Sequence, residues 1–139
     1  MKKIILLIMV CALVVGCSEK KAPLDANGKS PEQVLMETYV DILYENYNKA
    51  ELNFAPEYVK ELITDNGSTF REYCKNTDGW KIEWLKTTLI GNDYNNDVWR
   101  VRIYPDEGKG KENRPGIVQD MHIIDGSWKI VFWNHYPES

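Results

Sequence analysis

The chain has 139 residues, of which 43% are hydrophobic and 27% charged, and its formal net charge at pH 7 is −4. This length allows one modest domain and is too short for two independent cores. The acidic balance argues against a nucleic-acid-binding protein, because phosphate backbones are bound through clustered Lys and Arg side chains.

The first 16 residues have the layout of a signal peptide. Lys2 and Lys3 precede an uninterrupted apolar run from Ile4 to Val15. This run is shorter than the roughly 20 residues that a membrane-spanning helix needs. The segment therefore indicates export from the cytoplasm, and removing its two lysines would leave the mature chain with a net charge of −6.

The residues after this run, Val14-Val15-Gly16-Cys17, resemble the lipobox of bacterial lipoproteins. The resemblance implies cleavage before Cys17, a diacylglycerol on its thiol, and attachment of the mature chain to the extracytoplasmic face of the cell membrane. An ordinary secretory signal and an uncleaved anchor are the alternatives. With Cys11 removed and Cys17 acylated, Cys74 has no partner for an intrachain disulfide, and we expect it to be a small buried side chain.

A tether is predicted between the lipidated cysteine and the domain, over residues 17–29. From Ser18 to Lys29 only Leu24 is a sizeable aliphatic residue, and the rest is charged, small or turn-forming. Such a segment has too little apolar surface to offset the entropy of ordering. Its twelve residues after Cys17 span at most ~40 Å, which would lift the domain clear of the lipid headgroups.

A single domain is predicted over residues 30–139, and it begins with a long helix. Ser30-Pro31-Glu32-Gln33 supplies a capping hydroxyl, a proline at the first helical position and a capping-box glutamine. Apolar residues then recur at helical spacing, at Leu35, Tyr39, Ile42, Leu43 and Tyr47. Acidic residues at Glu37, Asp41 and Glu45 form another face, which we interpret as solvated.

Two further helices are predicted before residue 80. The second begins at Phe54-Ala55-Pro56 and has one apolar face, formed by Val59, Leu62 and Ile63. The third is short, is capped by Ser68, and carries Phe70, Tyr73 and Cys74.

From Trp80 onward the hydrophobic period changes to two, which is typical of β-strands. The first strand is predicted from Trp80 to Ile90, with a β-bulge where the alternation slips at Leu85-Lys86. The second strand places Trp99, Val101 and Ile103 on one face.

The last two strands are predicted to form a hairpin around Asp125-Gly126, the dipeptide that a two-residue type I′ turn prefers. This turn puts Ile124 opposite Ser127, and the remaining pairs follow by counting. The predicted pairs are Ile123 with Trp128, His122 with Lys129, Met121 with Ile130, Asp120 with Val131, Gln119 with Phe132 and Val118 with Trp133. One face of the hairpin is then almost wholly apolar, while the ionisable side chains lie on the other.

Asp120, His122 and Lys129 form the one polar cluster whose proximity follows from this register. A carboxylate beside an imidazole can act as a general base. On the face away from the helices, however, a solvated polar patch is the more usual meaning. Trp133, which lies beside it with Val118, points instead to a contact surface.

Asp93, Asn95 and Asp97 have the spacing that calcium-binding loops use. An EF-hand, however, needs Gly where Val98 stands and Glu where Tyr104 stands. We therefore interpret these residues as a turn and expect neither a metal ion nor a cofactor.

The predicted fold is α+β, with three N-terminal helices packed on a four-stranded antiparallel meander. This order, together with Asp125-Gly126-Ser127-Trp128-Lys129-Ile130, resembles the small cone-shaped nuclear-transport-factor-2-like domains of bacterial lipoproteins. The resemblance extends over residues 30–133. The alternative is a cystatin-like sheet around one helix, which would require Pro56 to Cys74 to be mainly loop.

Enzymes of that cone fold place acid and base residues inside the cavity. Here the inner face of the last two strands has Gln119 as its one polar side chain, and Tyr39 and Tyr47 could join it around a small neutral ligand. We therefore expect a membrane-tethered, non-catalytic binding module whose partner is an envelope protein or such a ligand. The alternatives are a structural spacer and a cone-fold hydrolase or isomerase using an Asp120/His122 acid–base pair, which would require a register shifted by one residue.

Overall fold

The computed structural model describes residues 21–64, 67–93, 97–108 and 116–132. Within these ranges, four α-helices precede a four-stranded antiparallel sheet with strand order β1-β2-β3-β4. The elements are α1 (Pro31–Leu43), α2 (Tyr47–Glu51), α3 (Pro56–Thr64), α4 (Phe70–Tyr73), β1 (Leu85–Asp93), β2 (Val98–Pro105), β3 (Ile117–Ile124) and β4 (Ser127–Val131). The predicted α+β class and the sheet are confirmed, whereas the number of helices is four rather than three.

The fourth helix arises because the predicted long helix is broken in two. Its start is as expected, since the hydroxyl of Ser30 accepts the Gln33 N–H and the Gln33 side chain accepts the Ser30 N–H. It ends at Leu43, because Glu45 adopts a left-handed backbone conformation with φ 61°. Helical periodicity up to Tyr47 hid this break, since no glycine marks the turn.

Replacing Glu45 with glycine is expected to raise the free energy of unfolding by about 0.5–1 kcal/mol. A left-handed conformation strains an L-residue but costs glycine little, and this gain exceeds the extra backbone entropy that glycine loses on folding. Urea unfolding followed by circular dichroism measures the change. Lys60→Gly in α3 is the matched control and is expected to lower the same quantity by about 1 kcal/mol. Equal destabilisation by both variants would contradict the prediction.

Helices α3 and α4 begin close to the predicted positions. Helix α3 begins at Pro56, as expected. Helix α4 is capped by Thr69, one residue after the predicted Ser68. The Thr69 hydroxyl accepts the Glu72 N–H and the Glu72 carboxylate accepts the Thr69 N–H, which is a complete capping box.

The β3–β4 hairpin has the register that the sequence predicts. Asp125 and Gly126 have φ angles of 50° and 81°, the two positive values that a type I′ turn requires. His122 lies opposite Lys129 and Asp120 lies opposite Val131. Met121, Trp128 and Ile130 of the apolar face are buried. Residues 133–139, including Trp133, lie outside the described residues.

The first strand differs from the prediction at both of its irregular points. It begins at Leu85 instead of Trp80, because residues Ile82–Trp84 form a short 3-10 turn. Its register shift lies between Leu89 and Gly91 rather than at Leu85-Lys86. A 3-10 turn and a bulge both interrupt an alternating pattern, so the slip in the sequence did not distinguish them.

The core lies between the helices and the inner face of the sheet. Two of its most buried residues are Leu35 and Tyr39 of α1, both with 0% exposure. The inner-face side chains of β2, Trp99, Val101 and Ile103, are buried as predicted. Trp80, which precedes the strands, stacks on Tyr39 with ring centroids 6.2 Å apart.

The folded part of the chain also begins earlier than Ser30. The Asp25 carboxylate is 8% exposed and accepts N–H groups from Asn27, Lys29 and Trp128. We call this arrangement the Asp25 clasp. In addition, the Ala26 N–H donates to the Gly126 carbonyl in the β3–β4 turn, over 2.8 Å. Residues 25–29, which the sequence places in the predicted tether, are held on the domain by these hydrogen bonds rather than by apolar surface.

Candidate functional site

An open groove of about 1330 Å³ lies between α3 and the β3–β4 hairpin. Its apolar lining consists of Leu52, Phe54, Pro56, Val59, Ile63, Ile123 and Ile124. Its ionisable lining consists of Glu51, Glu57, Lys60, His122, Asp125 and Lys129. Apolar walls with a polar rim are typical of binding sites rather than of plain solvated surface.

The groove exists because α3 has more apolar surface than the core can cover. Tyr58 and Leu62 point into the core and are 6% and 7% exposed. Ile63, one residue further along the chain, is 50% exposed and lines the groove. Leu52, at the end of α2, is 69% exposed and lines the same groove. Two large aliphatic side chains are thus left facing solvent at one place.

A short backbone pairing holds α3 at the edge of β4 and sets the width of the groove. Phe54 forms a parallel bridge with Ile130. The Ala55 N–H donates to the Ile130 carbonyl and the Ile130 N–H donates to the Asn53 carbonyl, each over 2.8 Å. This pairing covers the outer edge of β4, which would otherwise present free backbone donors and acceptors. Backbone hydrogen bonds therefore hold the start of α3 and β4, which flank the groove, in place relative to each other.

The predicted surface patch is partly incorporated into this groove. The Lys129 ammonium group donates to the Leu52 carbonyl, which ties β4 to the end of α2. Nδ1 of His122 lies 2.6 Å from the carbonyl oxygen of Asp97, a bond that requires the proton on Nδ1. Both side chains line the groove. Trp133, the fourth predicted member of the patch, lies outside the described residues.

Asp120 has a different environment from the other predicted members of the patch. Its carboxylate is 3.0 Å from Nε of Arg100, and its side chain is only 12% exposed. Arg100 lies directly opposite Asp120 in the β2–β3 pairing, so the ion pair is a cross-strand pair on the face away from the helices. This partner was not predicted from the sequence, although the register of β2 against β3 would have identified it.

The predicted ligand-binding residues do not come together as one group. The Gln119 amide donates to the hydroxyls of Tyr39 and Tyr73, over 3.0 and 2.7 Å. Gln119 is 4% exposed and Tyr39 is fully buried, and burial raises the pKa of the Tyr39 hydroxyl well above its usual value. Tyr47 lies elsewhere, under the guanidinium of Arg71 at 5.5 Å from the ring centroid. The polar groups of Tyr39 and Gln119 are therefore hydrogen-bonded to each other inside the core.

The remaining reactive groups of the described ranges do not form a second site. Cys74 is buried, and desolvation, with a smaller contribution from the charge of Glu51, raises its thiol pKa to about 12. The thiol is therefore in its unreactive protonated form at neutral pH. Among the residues that the structure describes, no group of three His, Cys, Asp or Glu side chains could hold a metal ion. Asn95 of the calcium-like spacing lies outside those residues.

The exposure of Leu52 and Ile63 was not predicted from the sequence. Ile63 was assigned to the buried face of α3 together with Val59 and Leu62, since helical spacing alone does not tell how a helix is rotated about its axis. The available signal for this exposure is that the apolar residues of α3 spread over more than one stripe of the helix surface. These residues are Tyr58, Val59, Leu62 and Ile63.

Neither the helices that the structure describes nor comparison with known proteins indicates a family or a function for this chain. Cys17 lies outside the described residues, and within those residues no helix combines the length and the apolarity needed to cross a membrane. Comparison with protein-family models, curated proteins and solved structures yields no match. The groove and the N-terminal sequence are thus the features that indicate a function.

Proposed function

We propose that this protein is a lipid-anchored, extracytoplasmic binding module that holds a partner in the groove between α3 and the β3–β4 hairpin. The observation that carries the proposal is the exposure of Leu52 and Ile63 within one concave, charge-rimmed surface. Exposed aliphatic side chains on a soluble surface cost solvation free energy unless a partner covers them. The lipobox-like Val14-Val15-Gly16-Cys17 supports the anchor.

The fold supports a narrower assignment. Helices that precede a four-stranded antiparallel meander, with α1 against the sheet, fit the cone-shaped nuclear-transport-factor-2-like domains of bacterial lipoproteins. In those domains a ligand would enter between sheet and helices. Here the inward polar side chain Gln119 is bonded to Tyr39 and Tyr73, so we assign binding to the groove outside the core.

The rim of the groove suits a peptide better than a small charged ligand. Acidic Glu51, Glu57 and Asp125 line it together with basic Lys60, and the Lys129 ammonium is already bonded to a backbone carbonyl. Mixed charges around an apolar centre match the polar rim and apolar core of protein interfaces. We therefore propose an envelope protein as the partner.

The alternative activity is a hydrolase or isomerase that uses Asp120 and His122 as an acid–base pair. In the structure Asp120 is engaged by Arg100, and Nδ1 of His122 faces the carbonyl of Asp97. To act as a catalytic pair, Asp120 and His122 would have to break these two interactions and hydrogen-bond to each other, which disfavours this alternative.

Photo-crosslinking in cells tests the groove. A crosslinking amino acid is placed at Ile63 of the full chain, and at Ile90 as the control, since both are about half exposed but Ile90 lies on β1. We expect one recurrent protein adduct from position 63 and none from position 90. Ile63→Lys should abolish co-purification of that protein, whereas Ile90→Lys should retain it. Equal capture from both positions, or no adduct from position 63, would refute the proposal.

A further inference from the structure

The Asp25 clasp decides where the membrane anchor leaves the domain. Its hydrogen bonds join residues 25–29 to Trp128, and the Ala26 N–H donates to the Gly126 carbonyl. Gly126 packs so closely here that a Cβ on it would lie 3.2 Å from that of Ala26. The N-terminal segment at Ala26, four residues after Ala22, thus lies against the tip of the β3–β4 hairpin.

The chain between this exit and the anchor is short. Ala22 is already partly buried against the core, and it lies only five positions after Cys17. Five residues span at most ~18 Å, against the ~40 Å expected for a free tether from Cys17 to Lys29. A domain of about 110 residues has a diameter of roughly 33 Å. Because the link is shorter than this diameter, the side that carries Ala22 cannot turn away from the bilayer.

The surface around this exit carries residue types that contact membranes, namely an exposed aliphatic side chain and a lysine. Leu24 is 62% exposed, although it adjoins the buried Asp25 in a segment that is held in place. Lys21, next to the anchor, is exposed and can approach anionic headgroups. Leu24 is therefore an aliphatic side chain held beside the lipid surface without a covering partner among the described core residues.

We propose that Leu24, Lys21 and the hairpin tip Asp125–Gly126 form a bilayer-contact surface that holds the domain in one orientation. The proposal rests on the lipid anchor at Cys17 that is part of the proposed function. Leu24 enters the boundary between headgroups and acyl chains, while the clasp keeps the hairpin tip beside it. Ile124, Asp125 and Ser127 also line the groove, so one end of the groove opens next to the lipid. The partner of the groove then approaches along the membrane plane.

Fluorescence quenching by lipids tests this orientation. The lipidated full-length protein, in a Cys74→Ala background, is placed in vesicles of phosphatidylcholine and phosphatidylglycerol that contain a nitroxide-labelled lipid. A bimane dye is attached at Ser127→Cys, near the tip, or at Val118→Cys as the control. Val118 is exposed and lies six residues, or about 20 Å, from Ile124 along β3. We expect quenching at position 127 to be several-fold stronger than at position 118.

Two further variants distinguish the effect of the Asp25 clasp from that of the contact between Leu24 and the lipid. Asp25→Ala frees residues 22–29, so quenching at position 127 should fall toward the level at position 118. Leu24→Ser keeps the short link but should lose quenching by nitroxides carried on the acyl chain. Folding of each variant is verified by circular dichroism before reconstitution.

The outcomes also separate this proposal from the anchor on which it rests. Mass spectrometry reports whether Cys17 carries the lipid, and a chain without it would overturn both proposals. Equal quenching at positions 127 and 118 in a lipidated chain would overturn the orientation alone. Lack of quenching at position 127 in these protein-free vesicles would also overturn it, and would assign Leu24 to a protein partner.

Discussion

Replacing Phe54 with alanine is expected to lower the free energy of unfolding by about 3–5 kcal/mol. Phe54 is 2% exposed and sits where the helices meet the edge of the sheet. Its ring centroid lies 5.5 Å from that of Tyr58, 4.9 Å from Phe70 and 6.0 Å from Tyr73. Removing the ring leaves a cavity bounded by three other aromatic rings and the β4 edge, and stiff rings cannot close it.

Urea unfolding followed by tryptophan fluorescence measures this loss. Phe54→Leu should cost less than Phe54→Ala, because leucine fills part of the cavity. Tyr44→Ala is the surface control, since Tyr44 is 64% exposed at the end of α1, and it should change the stability by no more than about 0.5 kcal/mol. A loss below about 1 kcal/mol for Phe54→Ala would show that this cluster does not hold the helices on the sheet.

The second large effect is expected from Asp25→Ala, which should lower the free energy of unfolding by about 1–3 kcal/mol. The carboxylate satisfies three backbone N–H groups, those of Asn27, Lys29 and Trp128. Alanine leaves these donors without their acceptor, and the desolvation of the Trp128 N–H, whose bond is buried, is no longer compensated. Asn27→Ala is the matched control. Its exposed side chain makes only a long bond to Ser127, and its loss should be small.

The contribution of Asp25 is also expected to depend on pH. Burial by itself raises the pKa of this carboxyl group, but the N–H donors of Lys29, Trp128 and Asn27 outweigh it and lower the pKa below the usual 3.8. A carboxyl group with a lower pKa in the folded state stabilises the protein above its unfolded pKa. This stabilisation is lost as the pH falls through the folded pKa.

Comparison with Asp25→Asn isolates this charge effect. The difference in unfolding free energy between the two proteins should be constant from about pH 7 to about pH 5 and should narrow below about pH 4, since asparagine does not titrate. A difference that stays the same at the lowest pH would mean that the charge of Asp25 contributes nothing to the clasp.

Local patterns determined the parts of the fold whose partners are close along the chain. Asp125-Gly126 requires two positive φ angles, and the strand pleat has a period of two, so the whole β3–β4 register followed, including His122 opposite Lys129. The capping box at Ser30 and the start of α3 at Pro56 were predictable for the same reason. Each of these features depends on residues within a few positions of one another.

Tertiary structure alone decided the features that depend on distant residues. The carboxylate of Asp25 bonds to a backbone N–H 103 residues away, and a polar segment with such a partner cannot be told from a free tether by composition. Glu45 adopts a left-handed turn that no glycine marks in the sequence. Ile63 became exposed because pairing of Phe54 with Ile130 fixes how α3 lies against the sheet. The groove and the path of residues 25–29 along the domain follow from these long-range contacts, since periodicity along the sequence records which residues share a face but not what lies opposite that face.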